Sequence, residues 1–120
     1  YPGVKPAGYA EHVAAVEADL RRPGRAAVPA KMGMSAPNDA GDHLAGIKCP
    51  ALVVMGTLDP DWADPRAEAE GVVAGMPPGL GRVAMIEGAG HYPHRQFPDE
   101  VAAVVVPFVT EHAEKGDTRA

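Results

Sequence analysis

The stretch that decides the fold is "CPALVVMGTLDPDWADP", residues 49–65. Ala51-Leu52-Val53-Val54-Met55 is continuously apolar and bounded by Pro50 and Gly56, the pattern of a strand covered on both faces in a parallel sheet. A polar loop follows. Asp64 and Pro65 then supply a good N-cap and first helical position, and the apolar spacing carries that helix to about Met76, where Pro77-Pro78-Gly79 stops it.

Working forward, Arg82 to Glu87 reads as a second short strand, followed by the loop "GAGHYPH" at 88–94. Pro98-Asp99-Glu100 starts a final helix with Val101, Val104, Val105, Phe108 and Val109 on its apolar face, and Pro107 is expected to kink it. The order strand, loop, helix, strand, loop, helix predicts two parallel strands joined by a right-handed crossover. Both strand-to-helix loops then leave the same carboxyl edge of the sheet, where open α/β sheets place ligand sites.

Working backward, Tyr9, Val13, Val16 and Leu20 recur at helical spacing, so Ala7 to Leu20 is expected to be an amphipathic helix ended by Arg21-Arg22-Pro23-Gly24. Arg25 to Met34 is a shorter helical candidate interrupted by Pro29. Ser35 to Gly46, rich in Asn, Asp, Gly and Pro, reads as a linker. The architecture changes near Ile47.

At 120 residues the chain has room for one domain, burying roughly 60–70% of its unfolded surface. A net charge of −5 argues against nucleic acid, which needs clustered Lys and Arg to displace counterions. The apolar runs are far short of the roughly 20 residues that span a bilayer, so no membrane partner is expected. No stretch reads as a secretory signal, which makes a cytoplasmic setting the expectation. The single cysteine, Cys49, excludes an internal disulfide and is expected to be a buried structural thiol. "GLGRVA" at 79–84 precedes a strand, whereas a phosphate cradle follows one, so nucleotide binding is not expected.

Asp59 and His91 occupy matching places past the two strands. Taken singly, Asp59 reads as a turn residue before Pro60, and His91 as a loop histidine bonded to backbone. Taken together, a carboxylate that accepts from one ring nitrogen fixes the tautomer and leaves the other nitrogen to act as a base. Asp61 is the reserve candidate for the acid. Trp62 and Tyr92, each beside one loop, are candidates for lining a substrate pocket, with core or rim packing as the competing reading. A metal site could be drawn from His91, His94, Asp59, Asp61 and Asp64, but Pro93 spoils the histidine spacing and Asp64 is better used as a cap, so none is expected. His94 reads as a loop residue bonded to backbone, His12 and His43 as solvated side chains, and Glu68 to Glu70 as a solvated helix face.

"CPALVVMGTLDPDWADP" followed by "RVAMIEGAGHYPHRQFPDEV" resembles the carboxyl-terminal part of the α/β-hydrolase superfamily, in which an acid follows one late strand and the histidine follows the last. The Gly-x-x-Asp and Gly-x-Gly-His pieces, their order and their spacing carry the resemblance, over about Ile47 to His112. It implies two late parallel strands with crossover and terminal helices of that fold at 47–115, preceded by a helical cap-like segment and linker at 1–46 and followed by a frayed tail at 116–120. It also implies hydrolysis of an ester or a related acyl or carbon–heteroatom bond, with Asp59 and His91 as acid and base, a small-molecule substrate and no cofactor.

The Gly-x-Ser-x-Gly elbow that carries the superfamily's nucleophile is absent from these 120 residues. Ser35 sits in the linker, and Thr57, Thr110 and Thr118 have no elbow around them. Two apolar parallel strands also cannot cover both faces with the helices at hand. The expectation is a chain that lacks its amino-terminal half or works with a partner chain, inactive alone. A non-catalytic α/β binding module, an inactive fragment and a subunit of a split enzyme are the alternatives.

Overall fold

The computed structural model describes residues 1–35 and 39–116, with side chains described as far as Ala113. The 36–38 part of the expected linker and the tail from 117 onward lie outside the described residues. Helix α1 spans Tyr9–Leu20, α2 Ala27–Gly33, α3 Pro65–Ala74, α4 Pro93–Gln96 and α5 Pro98–Gly116, with strands β1 Ala51–Gly56 and β2 Gly81–Ile86. The two strands pair in parallel, in a register that runs from Ala51 opposite Gly81 to Gly56 opposite Ile86. Among the described residues the chain is mixed α/β, built on one two-stranded parallel sheet.

Alternation along β2 places the helices. A Cβ on Gly81 would lie 2.7 Å from Val73 Cγ1 and 3.0 Å from Met76 Sδ, so this residue faces the end of α3. Arg82, the next residue, turns the other way: its guanidinium makes a two-pronged ion pair with Glu111 at 2.7 and 2.9 Å and stacks 5.9 Å from the Phe108 ring of α5. Since successive strand residues point to opposite faces, α3 and α5 cover opposite sides of the sheet.

Local chemistry sets the ends of α3. Asp64 is extended at φ −137°, and its carboxylate accepts from the Ala67 N–H at 3.0 Å, while Pro65 needs no donor at the first helical position. Asp64→Ala is expected to cost about 1 kcal/mol, read as a lowered urea midpoint at unchanged m. The helix closes at Ala74, two residues before the expected Met76. Glu68 and Glu70 flank Ala69, which is 0% exposed and points inward.

Several expectations are corrected. The linker is not irregular throughout: Ala40–Gly46 forms a 3-10 helix, and its Leu44 packs over the end of α3, where a Cβ on Gly75 would stand 3.0 Å from Leu44 Cδ1. A one-turn helix, α4, precedes α5, started by Pro93. α5 carries Pro107 within it and runs on to Gly116. Cys49, expected to be buried, is exposed just before β1.

The burial predicted from apolar pattern is the largest departure. Residues 51–55 are half-buried rather than covered, and among the described residues the buried apolar side chains are Ala69, Ile86 and Ala89 with the prolines Pro6 and Pro93. α1 buries nothing, leaving Val16 and Leu20 on its stripe exposed, and α2 exposes Val28 and Met32. The radius of gyration, 17.6 Å, exceeds the about 13–14 Å of a compact chain of this length. Ion pairs accompany the backbone hydrogen bonds of the α1–α2 turn: Asp19 accepts from Arg25 and Arg22, both at 2.9 Å, and the Arg25 guanidinium, with help from Arg22, holds this carboxyl below its ordinary range.

Candidate acid–base site at the sheet edge

The loops leaving β1 and β2 are joined by backbone before any side chain is considered. The Thr57 N–H donates to Ile86 O at 3.0 Å, and the Leu58 N–H donates to Ala89 O at 2.8 Å. The Gly88 N–H donates to Thr57 Oγ1 at 2.9 Å, with Gly88 at φ +72°, a turn only glycine adopts without strain. Gly56 permits the close approach, because a Cβ there would sit inside the carbonyl oxygens of Ala89 and Gly90 and 2.6 Å from the Ala89 carbonyl carbon.

This joint carries Asp59 and His91 to each other. His91 Nδ1 lies 3.0 Å from Asp59 Oδ2 and 3.1 Å from Oδ1. The Asp59 side chain is 4% exposed and that of His91 is 44% exposed. Asp59 Oδ1 also accepts from the Asp61 N–H at 3.0 Å, a local turn that fixes the carboxylate plane. The turn reading and the acid reading of Asp59 are therefore both realised in one residue. Among the described residues nothing hydrogen-bonds to His91 Nε2, so that nitrogen is available to another group.

Asp61, the reserve acid, is also present: its Oδ2 is 3.2 Å from the same Nδ1. The two carboxylates are unequal. Asp61 is 59% exposed, where water screens its attraction, whereas Asp59 acts from a buried position. Asp59, Asp61 and His91 bring ligand atoms within 4.8 Å of one another. His94 and Asp64 of the drawn metal set are not in that group. Asp64 is spent on capping α3.

The two aromatic candidates part company. Tyr92 stands edge-on to the His91 ring, centroids 4.9 Å apart at 87°, and contacts Tyr1 at 5.5 Å and His94 at 6.2 Å. It flanks the imidazole directly. His94, expected to bond to backbone, instead lies on α4, exposed, with its ring toward Tyr92. Trp62 does line a cleft of 540 Å³, with Leu44, Glu68 and Val72 between the 3-10 helix and α3. Neither Asp59 nor His91 borders that cleft, so it is set apart from the acid–base pair. His12 and His43 are exposed, as expected of solvated side chains.

Gln96 was not legible as part of the site. It is 7% exposed, and its Oε1 accepts from the Gly90 N–H at 2.7 Å, next to His91. Nothing in the sequence marks it, since a glutamine before Phe97-Pro98 has the composition of an ordinary helix surface. Comparison with protein-family models, with curated proteins and with solved structures finds no match to this chain.

Proposed function

We propose that this chain supplies the acid and base of an α/β-hydrolase-type triad, for hydrolysis of an ester or a related acyl or carbon–heteroatom bond. One observation carries the reading: a buried carboxylate on His91 Nδ1, with Nε2 left without a partner. In this role Asp59 holds the proton on Nδ1 and stabilises the imidazolium. His91 Nε2 takes the proton of a nucleophile and later returns it to the leaving group, help worth about 10²–10⁴ in rate. No cofactor is needed for these steps.

The nucleophile comes from polypeptide other than these 120 residues, because the sequence holds no elbow. The half-buried strands support this, since parallel strands normally lie within several more elements and, among the described residues, β1 and β2 each leave an edge without a partner strand. In this reading 1–46 is cap-like and 47–115 belongs to the hydrolase core.

The isolated chain is expected to show no turnover of a p-nitrophenyl ester. Turnover that survives His91→Ala would overturn the acid–base assignment. A cooperatively folding monomer in size-exclusion chromatography would count against an incomplete unit, and a stoichiometric co-purifying chain would identify a split enzyme.

A second reading, a binding module without catalysis, draws on Asp61 crowding the same nitrogen and on the separation of the Trp62 cleft from His91. It requires that His91→Ala weaken ligand or partner binding while the assembled protein shows no acyl transfer.

A further inference from the structure

Gln96 is the most completely engaged polar side chain at the site, and its bonds run to two separate parts of the chain. Its Oε1 accepts from the Gly90 N–H at 2.7 Å, fixing the Ala89–Gly90 peptide, one link before the peptide that joins His91. Its Nε2 donates to Pro2 O at 2.8 Å and to Val4 O at 2.6 Å, so both amide hydrogens hold the segment Tyr1 to Val4. That segment lies tightly on the loop: a Cβ on Gly90 would be 2.8 Å from Pro2 Cγ, and one on Gly3 would be 3.6 Å from Gly88 O. Tyr1 then packs on Tyr92, and Tyr92 packs edge-on against the imidazole. The contacts close a ring from Gln96 through Gly90, His91, Tyr92, Tyr1 and Pro2 back to Gln96.

We propose that Gln96 is a positioning residue for His91: one carboxamide sets the backbone before the imidazole and straps residues 1–4 beneath Tyr92, so that the ring is held from both sides with Nδ1 on Asp59. The role rests on the acid–base reading of Asp59 and His91. A side chain with only acceptors cannot do it, because Pro2 O and Val4 O offer lone pairs alone. Nor can an apolar one, which would leave the Gly90 N–H and two carbonyls without partners.

Ring ¹⁵N–¹H correlation spectra of the whole chain, which report the tautomer of each neutral histidine, test this together with the ring-current shift that Tyr92 imposes on His91. Gln96→Leu removes every bond and risks unfolding the rim. Gln96→Glu is therefore the decisive variant: it retains an acceptor for the Gly90 N–H and repels both carbonyls. The expected result is displaced resonances for residues 1–4, loss of the Tyr92 shift at His91, and a fall in its Nδ1–H to Nε2–H ratio of about fivefold or more, the size of one lost hydrogen bond. Gly90→Ala, which evicts Pro2 with Gln96 intact, should reproduce the Tyr92 effect.

Two results would overturn the proposal: residues 1–4 unmoved in Gln96→Glu, or those residues displaced with the His91 signature unchanged. A purely structural glutamine would lower stability and leave the ring signals of the folded fraction where they were. Failure of the underlying acid–base reading looks different, because the wild-type chain itself would then carry its neutral His91 proton on Nε2.

Discussion

Asp59→Asn is expected to move the ring proton of His91 from Nδ1 to Nε2. The direction follows from who else holds the carboxylate. Asp59 Oδ1 accepts from the Asp61 N–H at 3.0 Å, and an asparagine keeps that bond only by placing its carbonyl oxygen there. Its NH₂ then occupies the place of Oδ2, the nearer to Nδ1 at 3.0 Å against 3.1 Å for the oxygen already engaged by the Asp61 N–H, and a donor facing that nitrogen makes it an acceptor. A charge-assisted hydrogen bond worth about 1.5–3 kcal/mol is lost, enough to shift the tautomer ratio by about tenfold or more.

Asp61 sharpens the test. Its Oδ2 also approaches Nδ1, but from an exposed position, so Asp61→Ala is expected to leave the wild-type tautomer in place. Under the proposed function, the Asp59→Asn change leaves Nε2 protonated and unable to act as a base, a loss of about 10⁴ in the rate of an assembled enzyme. Ring ¹⁵N spectra check the tautomer directly. If Asp61→Ala moves the proton and Asp59→Asn does not, the roles of the two acids are reversed.

Fold and site were legible to different depths, for physical reasons. The strand at Ala51 to Met55, the cap at Asp64 and the order of elements are encoded by neighbouring residues: an apolar run between Pro50 and Gly56, and an Asp-Pro pair before a periodic segment. Asp59 and His91 were legible through the same logic, because parallel strands deliver both loops to one edge. Burial was not. An apolar run states what a strand would bury if layers were available, and among the described residues β1 has an edge with no partner strand, so its residues remain half-exposed.

Contacts between distant parts of the chain were invisible for a related reason. Gln96 reaches Pro2 and Val4 across 94 and 92 residues, and no local pattern records such a bond. Leu44, inside a segment with linker composition, finds its place only because the end of α3 carries Gly75, which leaves room for it. The same holds for Gly56, which the sequence marks as a strand boundary and the structure uses as the point where two loops touch.

Gly56→Ala is accordingly expected to be the most destabilising single methyl in the described chain. The added Cβ would fall inside the Ala89 and Gly90 carbonyl oxygens and 2.6 Å from the Ala89 carbonyl carbon, all of them backbone atoms. A flexible side chain could swing away, but Ala89 O is held by the Leu58 N–H at 2.8 Å, so relief requires separating the two loops. Overpacking costs about 1–3 kcal/mol where neighbours yield. Here a bond between the loops is broken as well, and about 3 kcal/mol or more is expected, a large share of the stability of any small domain. Gly71→Ala is the matched comparison: apart from its chain neighbours and the helix's own backbone nothing lies within 4 Å of its added methyl, and within helix α3 alanine is favoured over glycine by about 0.5–1 kcal/mol, so that variant should be stabilised. Urea unfolding of the pair reads opposite signs for the same chemical change. Separation of the loops in Gly56→Ala also carries Asp59 away from His91, so the ring proton should shift in the molecules that remain folded. Equal midpoints for the two variants would mean that the loops do not meet at Gly56, and the close joint that brings carboxylate to imidazole would have to be abandoned.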